Sequence, residues 1–421
     1  MLDIKFIREN SERVRQGAAS KGIDVDIDAL LSLDDKRKEL IQEGDSLKAK
    51  RNQISAEVGK IKRTGGDASS LIANMESIKE RIQLIDRELR DIDEKIQELL
   101  LSIPNLPHES VPFGKTPADN QVVFQWGASS KPDFELKPHW ELAEKLGIID
   151  FGRGAKVTGA GFPFYVGKGA QLQRALINFF LDKAREHNYK ELMPPIVVNE
   201  DSARGTGQIP DKEDLMYIVE RDQIYLIPTA EVPVSNFHRD ETLQESDLPL
   251  RYAAYTPCFR REAGSYGKDV RGLNRLHQFD KVELVKIVHP STSYEELESL
   301  RDDAESLLQL LGLPYHRLLM CTGDLGFTQT KKYDLEVWAP AQERWLEVSS
   351  CSNFESFQAK RMNMRFRPAN GGKPEYVHTL NGSGLALPRV VAALLEQYQT
   401  PEGKVIIPKV LHPYTKFELI G

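Results

Sequence analysis

The 421-residue chain, 40% hydrophobic and 28% charged, has the make-up of a globular protein with a sizeable core and not that of a disordered one. Its length suggests about two or three domains. The formal net charge of −7 excludes a chain that is basic throughout, so any surface for phosphates must be local.

The opening MLDIKFIREN lacks the apolar run of a signal peptide, and no stretch reaches the roughly eighteen apolar residues of a membrane span. These features predict a cytoplasmic protein with no membrane partner. Cys258, Cys321 and Cys351 are isolated singles, which fits neither a disulfide framework nor a paired-cysteine zinc site. Each is expected to be a small buried apolar residue, and no zinc is expected.

Between residues 71 and 99, Leu71, Met75, Ile78, Ile82, Ile85, Leu89, Ile92, Ile96 and Leu99 recur at alternating steps of four and three, a heptad seam. Upstream, Leu33, Leu40, Leu47, Ile54 and Ile61 repeat every seven residues, with Arg37, Gly44 and Arg51 at the alternate positions. Thr64-Gly65-Gly66-Asp67-Ala68-Ser69 between them is a turn, with Asp67 or Ser69 available as a helix cap. The pattern predicts two antiparallel helices forming an arm about 45 Å long, from roughly 1.5 Å per residue. Residues 36 to 63 carry nine Lys/Arg against four acids, whereas residues 76 to 98 carry five against eight. A solvated face laced with interhelical ion pairs and a phosphate-contacting surface are both compatible with that asymmetry.

Ser102-Ile103-Pro104-Asn105-Leu106-Pro107, followed by Pro112 and Pro117, breaks the helix and reads as a linker. Beyond it, residues 171 to 188 place Leu172, Ala175, Leu176, Phe179 and Phe180 on one helical face, and a Pro-interrupted strand follows over 191 to 198. A second amphipathic helix spans 294 to 311 and stops at Gly312. Strand-like runs at 224 to 228, 281 to 288, 334 to 338 and 345 to 348 do not alternate with regular helices. The fold class is therefore α+β, with a mixed, mostly antiparallel sheet.

Common nucleotide fingerprints are missing: residues 161 to 169 have the wrong glycine spacing for a P-loop. The informative stretch runs from Cys258 to Glu283, a strand, a Gly-rich cationic loop and a second strand. On such a hairpin Arg260 and Glu262 project together, and so do Phe279 and Glu283. Arginine can fork onto a phosphate, an aromatic face can stack on a base, and a carboxylate can accept from an exocyclic amine.

Phe259-Arg260-x-Glu262 with Phe279 resembles motif 2 of the class II aminoacyl-tRNA synthetases. Residues 171 to 198 resemble motif 1, and Gly382-Ser383-Gly384-Leu385-Ala386-Leu387-Pro388-Arg389 resembles motif 3. Within that class, Thr229-Ala230-Glu231, Glu347-Val348-Ser349-Ser350 and Thr379 to Ser383 are similar to signatures of the seryl enzymes. The resemblance covers essentially the whole chain. It implies a helical domain at 1–103 whose arm binds tRNA, and a class II catalytic domain at 104–421.

The resemblance further implies activation of L-serine with ATP and transfer to tRNA(Ser), and to tRNA(Sec) where present, by a homodimer with motif 1 at its interface. It assigns catalysis to Arg260 and Arg389. ATP would be held by Arg260, Arg261 and Glu262, by Arg275, Leu276, His277, Gln278 and Phe279, by Glu347, Val348, Ser349 and Ser350, and by Arg389. Within that set, Arg260 would hold the α-phosphate, Glu262 the adenine amine and Phe279 the adenine face, with Arg275 and Arg389 on the outer phosphates. Glu347 and Ser350 would hold Mg²⁺. The serine pocket would use Thr229, Ala230, Glu231, Arg260, Glu283 and Ser383, with the ammonium falling to either Glu231 or Glu283. Small residues at 382, 384 and 386 would let the backbone approach a ligand, and His277 is expected to be structural. Arg261 and Pro388 stand where the family often has Ser and Gly; Arg261 should point away from Arg260, and Pro388 suits a first helical turn. A relative that loads a carrier protein is disfavoured by the arm, and an inactive coiled-coil protein by the retained Arg260, Glu262, Glu347 and Arg389.

Overall fold

A computed structural model describes residues 1–128, 132–211, 213–262 and 271–421. The chain divides into two compact units, Met1–Ala19 with Ile23–Pro104, and Ser20–Gly22 with Asn105–Gly421. The Gly-rich loop anticipated over 263–270 lies outside the described residues.

The first unit consists of α1 (Ile4–Glu9), α2 (Ser11–Ser20, whose last residue falls to the second unit), α3 (Ile27–Arg63) and α4 (Ser69–Ser102). At 37 and 34 residues the two long helices exceed the expected length, giving about 50–55 Å at 1.5 Å per residue. Ile78, Ile82, Ile85, Ile92 and Ile96 are buried as the heptad demands, while Leu100, not Leu99, is the buried residue at the end of the seam. On α3 the deeper residues include Leu30, Gly44 and Val58 as well as Leu40 and Ile54. Arg37 meets Asp93 at 2.6 Å and Arg81 meets Glu43 at 2.7 Å across the helix pair. Such exposed pairs are screened by water and add little, whereas a fully buried Ile or Leu contributes roughly 1.5–3 kcal/mol, so the apolar seam holds the arm. At the tip, Gly65 adopts φ +73, a conformation glycine enters without steric cost, and the Gly66 N–H donates to the Ile61 carbonyl at 3.0 Å. Asp67 Oδ1 accepts from the Ser69 N–H at 2.9 Å, so Asp67 is the side chain that meets the start of α4.

The second unit is built on an eight-stranded sheet. In chain order its strands are β1 (Gln121–Trp126), β2 (Lys190–Glu191), β3 (Leu250–Phe259), β4 (Gln278–Val288), β5 (Tyr315–Leu319), β6 (Lys331–Ala339), β7 (Arg344–Asn353) and β8 (His378–Ala386). Their spatial order is β1-β5-β6-β7-β8-β4-β3-β2, antiparallel throughout except for the β2–β3 pair. Helices α5 (His139–Lys145), α6 (Lys168–Glu186), α7 (Ser293–Leu311) and α8 (Leu387–Gln397) join one core with it, where Leu172, Leu176, Phe179 and Phe180 meet Val282, Leu284, Leu335, Leu346 and Leu385. Pleating leaves Phe279, Lys281 and Glu283, the alternate residues of β4, on a cleft opposite Val282 and Leu284.

Two expectations change. The Pro-interrupted strand of 191–198 is split: Lys190–Glu191 joins the large sheet, and Val197–Asn199 joins a separate three-stranded sheet with Ile218–Val219 and Ile224–Leu226. Pro194 and Pro195 account for the break, since neither can donate to a ladder. The linker is also tied down at its second-unit end, where the Asn105 amide donates to the Thr328 and Phe354 carbonyls at 2.9 and 2.8 Å. All three cysteines are buried and unpaired, as small apolar residues would be, and burial pushes the Cys351 thiol up to about 12.

Candidate active site

The small sheet ends in Ile224–Leu226, after which Pro228-Thr229 leads into the short helix Glu231–Ser235 and delivers Thr229 and Glu231 to a cleft of about 380 Å³. Strand β4 supplies Phe279, Lys281 and Glu283 from the opposite wall, and Ser383 of β8 stands beside Glu283 in register. At this end Glu283, only 1% exposed, is fully engaged: Thr229 Oγ1 donates to Oε2 at 3.0 Å, Asn381 Nδ2 to Oε1 at 3.0 Å, and Lys281 Nζ lies 2.6 Å from Oε2. Glu231 Oε1 accepts from Gln358 Nε2 at 2.7 Å, and Gln358 is itself fixed by Thr379 Oγ1 at 2.7 Å. Two buried carboxylates and a hydroxyl thus converge in a small space.

The other end is cationic and aromatic. The Arg260 guanidinium carbon stands 5.1 Å from the Phe279 ring centroid, and its Nε donates to the Pro228 carbonyl at 3.4 Å. Glu262 ion-pairs with Arg275 Nε at 2.7 Å. Strand β3 has ended at Phe259, and Glu262 sits at φ +49, so a left-handed turn, not strand alternation, brings Arg260 and Glu262 to the same cleft. Arg389, in the first turn of α8 behind Pro388, donates from Nη1 to the Glu347 carbonyl at 2.7 Å and from Nε to the Asn274 carbonyl at 3.0 Å.

Glu347 and Ser350 are three residues apart, a spacing that places side chains on opposite faces of a regular strand. Pairing of β7 with β6 slips between Leu335–Ser349 and Glu336–Glu347, leaving Val348 as the extra residue, and both Glu347 and Ser350 line the cleft. Their oxygens suit a hard cation that keeps its waters and shares phosphate oxygens. Behind them Asp334 is buried and takes a hydrogen bond from Ser350; burial pushes its carboxyl up to about 7, aided by Glu347 and opposed by Lys332 at 3.5 Å. Burial works against the Lys332 ammonium, but Asp334, Glu347 and Asp324 outweigh it and hold its pKa above the ordinary lysine value. Among the described residues no group of three or more His, Cys, Asp or Glu is arranged to hold a metal.

Of the residues singled out from the sequence, Thr229, Glu231, Arg260, Glu262, Arg275, Leu276, Phe279, Glu283, Glu347, Val348, Ser349, Ser350, Ser383 and Arg389 line this one cleft. Four do not. Ala230 is packed into the core with Val285 and Met362, Arg261 turns away to the Asp214 carbonyl, and Gln278 is exposed on its ladder. The His277 ring stacks on Phe162, with Nδ1 3.0 Å from both the Tyr217 hydroxyl and the Arg260 carbonyl oxygen, a structural setting. Of the expected ligand-facing row of small residues, Ala386 lines the cleft, but a Cβ on Gly382 would stand 2.9 Å from Cys351 Sγ and one on Gly384 3.1 Å from Leu284, so these two glycines permit core packing. Sequence reasoning missed Lys281, Asn381, Gln358, Lys332 and Asp334. Lys281 was recoverable from the period of two that links Phe279 and Glu283, and Asn381 lies inside the Thr379 to Ser383 stretch already singled out; Gln358, Lys332 and Asp334 come from other segments and left no local signal.

A model of the class II tRNA synthetase core domain (G, H, P, S and T) matches residues 217–398, and one of the seryl-tRNA synthetase N-terminal domain matches residues 1–107. Sheet, cleft and match together define a class II aminoacyl-tRNA synthetase. The chain is 56% identical to a serine–tRNA ligase of Salinibacter ruber over 100% of its length and 99% of the relative's, and 55% identical to one of Chloroherpeton thalassium over 100% of both. A seryl-tRNA synthetase of Pyrococcus horikoshii solved with ATP superposes with a TM-score of 0.94 at 39% identity, covering 100% of this chain and 99% of that one. The chain therefore belongs to the serine–tRNA ligase family.

Proposed function

We propose that this chain activates L-serine with ATP to seryl-adenylate and transfers the seryl group to tRNA(Ser), and to tRNA(Sec) where that tRNA exists. The observation that carries this reading is the two-ended cleft, with Glu283, Glu231 and Thr229 at one end and Arg260, Phe279, Glu262, Arg275 and Arg389 at the other. Because Lys281 already balances Glu283, that carboxylate suits the neutral serine hydroxyl, and the ammonium falls to Glu231. A site built to bond a hydroxyl rejects an analogue that lacks it.

The serine carboxylate oxygen attacks the α-phosphorus, and the bond to the pyrophosphate leaving group breaks. The nucleophile is already ionised, so the residues act by alignment and charge neutralisation and no general base is required. Arg260 spans the α-phosphate and serine carboxylate, Phe279 and Glu262 fix the base, and Arg275 and Arg389 receive the outgoing charge. Glu347 and Ser350 are the residues that would hold Mg²⁺, which supplies further neutralisation of the phosphates when bound. A hydroxyl of the terminal tRNA ribose then attacks the seryl carbonyl and AMP departs.

The matched N-terminal domain supports tRNA binding by the α3–α4 arm, within a helical domain of residues 1–103 and beside a catalytic domain of 104–421. Met193, 93% exposed, with Phe164 and Val166 also exposed, supports a homodimer joined near motif 1. No helix among the described residues is long and apolar enough to cross a membrane. The test is ATP–pyrophosphate exchange with Mg²⁺ across a panel of amino acids, followed by tRNA charging. Serine should drive exchange, folded Arg260→Ala should show none, and deletion of residues 36–99 should spare exchange while charging collapses. Wild-type exchange in folded Arg260→Ala would refute the assignment.

A further inference from the structure

A buried polar network reaches the nucleotide end of the cleft from behind. Glu396 on α8, fully buried, accepts the backbone N–H groups of His139 and Ala341, each at 3.1 Å, the Gln342 amide at 2.8 Å, and His139 Nδ1 at 2.9 Å. The backbone N–H of Leu273 donates to His139 Nε2 at 2.9 Å. A ring nitrogen that accepts carries no proton, so the single imidazole proton sits on Nδ1, facing Glu396. Gln342, its amide nitrogen committed to Glu396, turns its oxygen to Asn274 Nδ2 at 2.8 Å. The chain passes so close that a Cβ on Gly272, at φ +67, would lie 2.3 Å from His139 Nε2.

Residues 272–276, held in this way, have no helix or strand of their own. They nonetheless carry Arg275, paired with Glu262 at 2.7 Å, and the Asn274 carbonyl that receives Arg389 Nε at 3.0 Å. Both arginines are thus referred to one short irregular segment, and that segment is referred to His139.

We infer that His139 is a positioning residue: through the Leu273 N–H it sets the backbone from which Arg275 and, via Asn274, Arg389 address the nucleotide. The inference rests on the proposed use of ATP. His139 itself does not line the cleft.

The experiment compares full-length variants in serine-dependent exchange. His139→Ala should raise the KM for ATP about tenfold, the effect of one lost hydrogen bond, while the KM for serine changes less than about twofold. His139→Gln, whose amide oxygen reaches the Nε2 position, should restore most of the ATP affinity; His139→Asn, which mimics only Nδ1, should not. An unchanged KM for ATP in folded His139→Ala, or equal behaviour of the Gln and Asn variants, would overturn the role. Should His139→Ala fail to fold, the Gln–Asn comparison decides. Should the wild-type chain show no serine-dependent exchange, the proposed function falls, and ATP affinity measured by titration calorimetry on the same variants must still rank Gln above Asn.

Discussion

Lys281 and Glu283 share one face of a central strand, with Nζ 2.6 Å from Oε2 and both side chains almost wholly removed from solvent. A buried pair is costly to break because the surviving charge keeps its desolvation penalty, about 3–5 kcal/mol. Lys281→Met should therefore lower unfolding stability by that order, and in exchange kinetics raise the KM for serine far more than that for ATP. Equal effects on both substrates would place Lys281 outside the serine end. The double variant Lys281→Met/Glu283→Gln, which removes both charges, should recover part of the stability.

What was legible in the sequence followed local periodicity. The heptads of residues 71–99 announced α4, and the alternation along 279–283 announced a strand with two faces. What was not legible came from pairing between segments. Nothing in Glu347-Val348-Ser349-Ser350 signals the slipped register that turns Glu347 and Ser350 to the same side, because the slip is a property of β7 and β6 together. Gly382 and Gly384 read as room for a ligand because their packing partners, Cys351 and Leu284, lie on other strands. Glu396 and His139 are 257 residues apart, and no spacing rule connects them.

Gly44 is a weak point of the arm that its own geometry allows to be repaired. It lies buried within α3, and a Cβ there would meet Ile85 Cγ2 at 3.5 Å, an ordinary contact. Gly44→Ala should stabilise the helical unit by about 1 kcal/mol through helix propensity, whereas Ile82→Ala should destabilise it by about 2–5 kcal/mol. Thermal unfolding followed by circular dichroism reads both; a destabilised Gly44→Ala would mean that the helices approach more closely at this point.

His378 gives the fold an acid sensitivity. Burial lowers its pKa to about 4, Glu355 opposing and Lys360 and His289 adding to the effect, and Nδ1 lies 2.9 Å from Ser293 Oγ. The unfolded chain, with an ordinary value near 6.5, binds the proton more readily between about pH 6.5 and 4. Stability is thus fully present above about 6.5 and falls as pH drops through that window, by about 3 kcal/mol at pH 4. Denaturant unfolding from pH 7 to 4 should show this loss, and His378→Asn should flatten it; an unchanged pH profile in the variant would assign the loss to other groups.

The arm's charge asymmetry can be turned into a measurement because a solvated face and a phosphate-contacting surface respond differently to substitution. Arg37 and Lys48 are paired with Asp93 and Asp86 of α4, and Lys38 with Asp34, so part of the basic surface is neutralised within the arm. Lys50, Lys60, Lys62 and Arg63 are exposed and, among the described residues, paired with no carboxylate. If they meet tRNA phosphates, replacing all four by alanine should raise the KM for tRNA at least about tenfold and reduce the slope of log affinity against log salt by about 0.7–0.9 for each phosphate no longer neutralised. Serine-dependent exchange, which involves no tRNA, should be unchanged, and so should helix content, since the seam residues are untouched. An unaltered KM for tRNA and an unaltered salt slope would leave these four charges as a solvated face and confine tRNA recognition by the arm to other side chains.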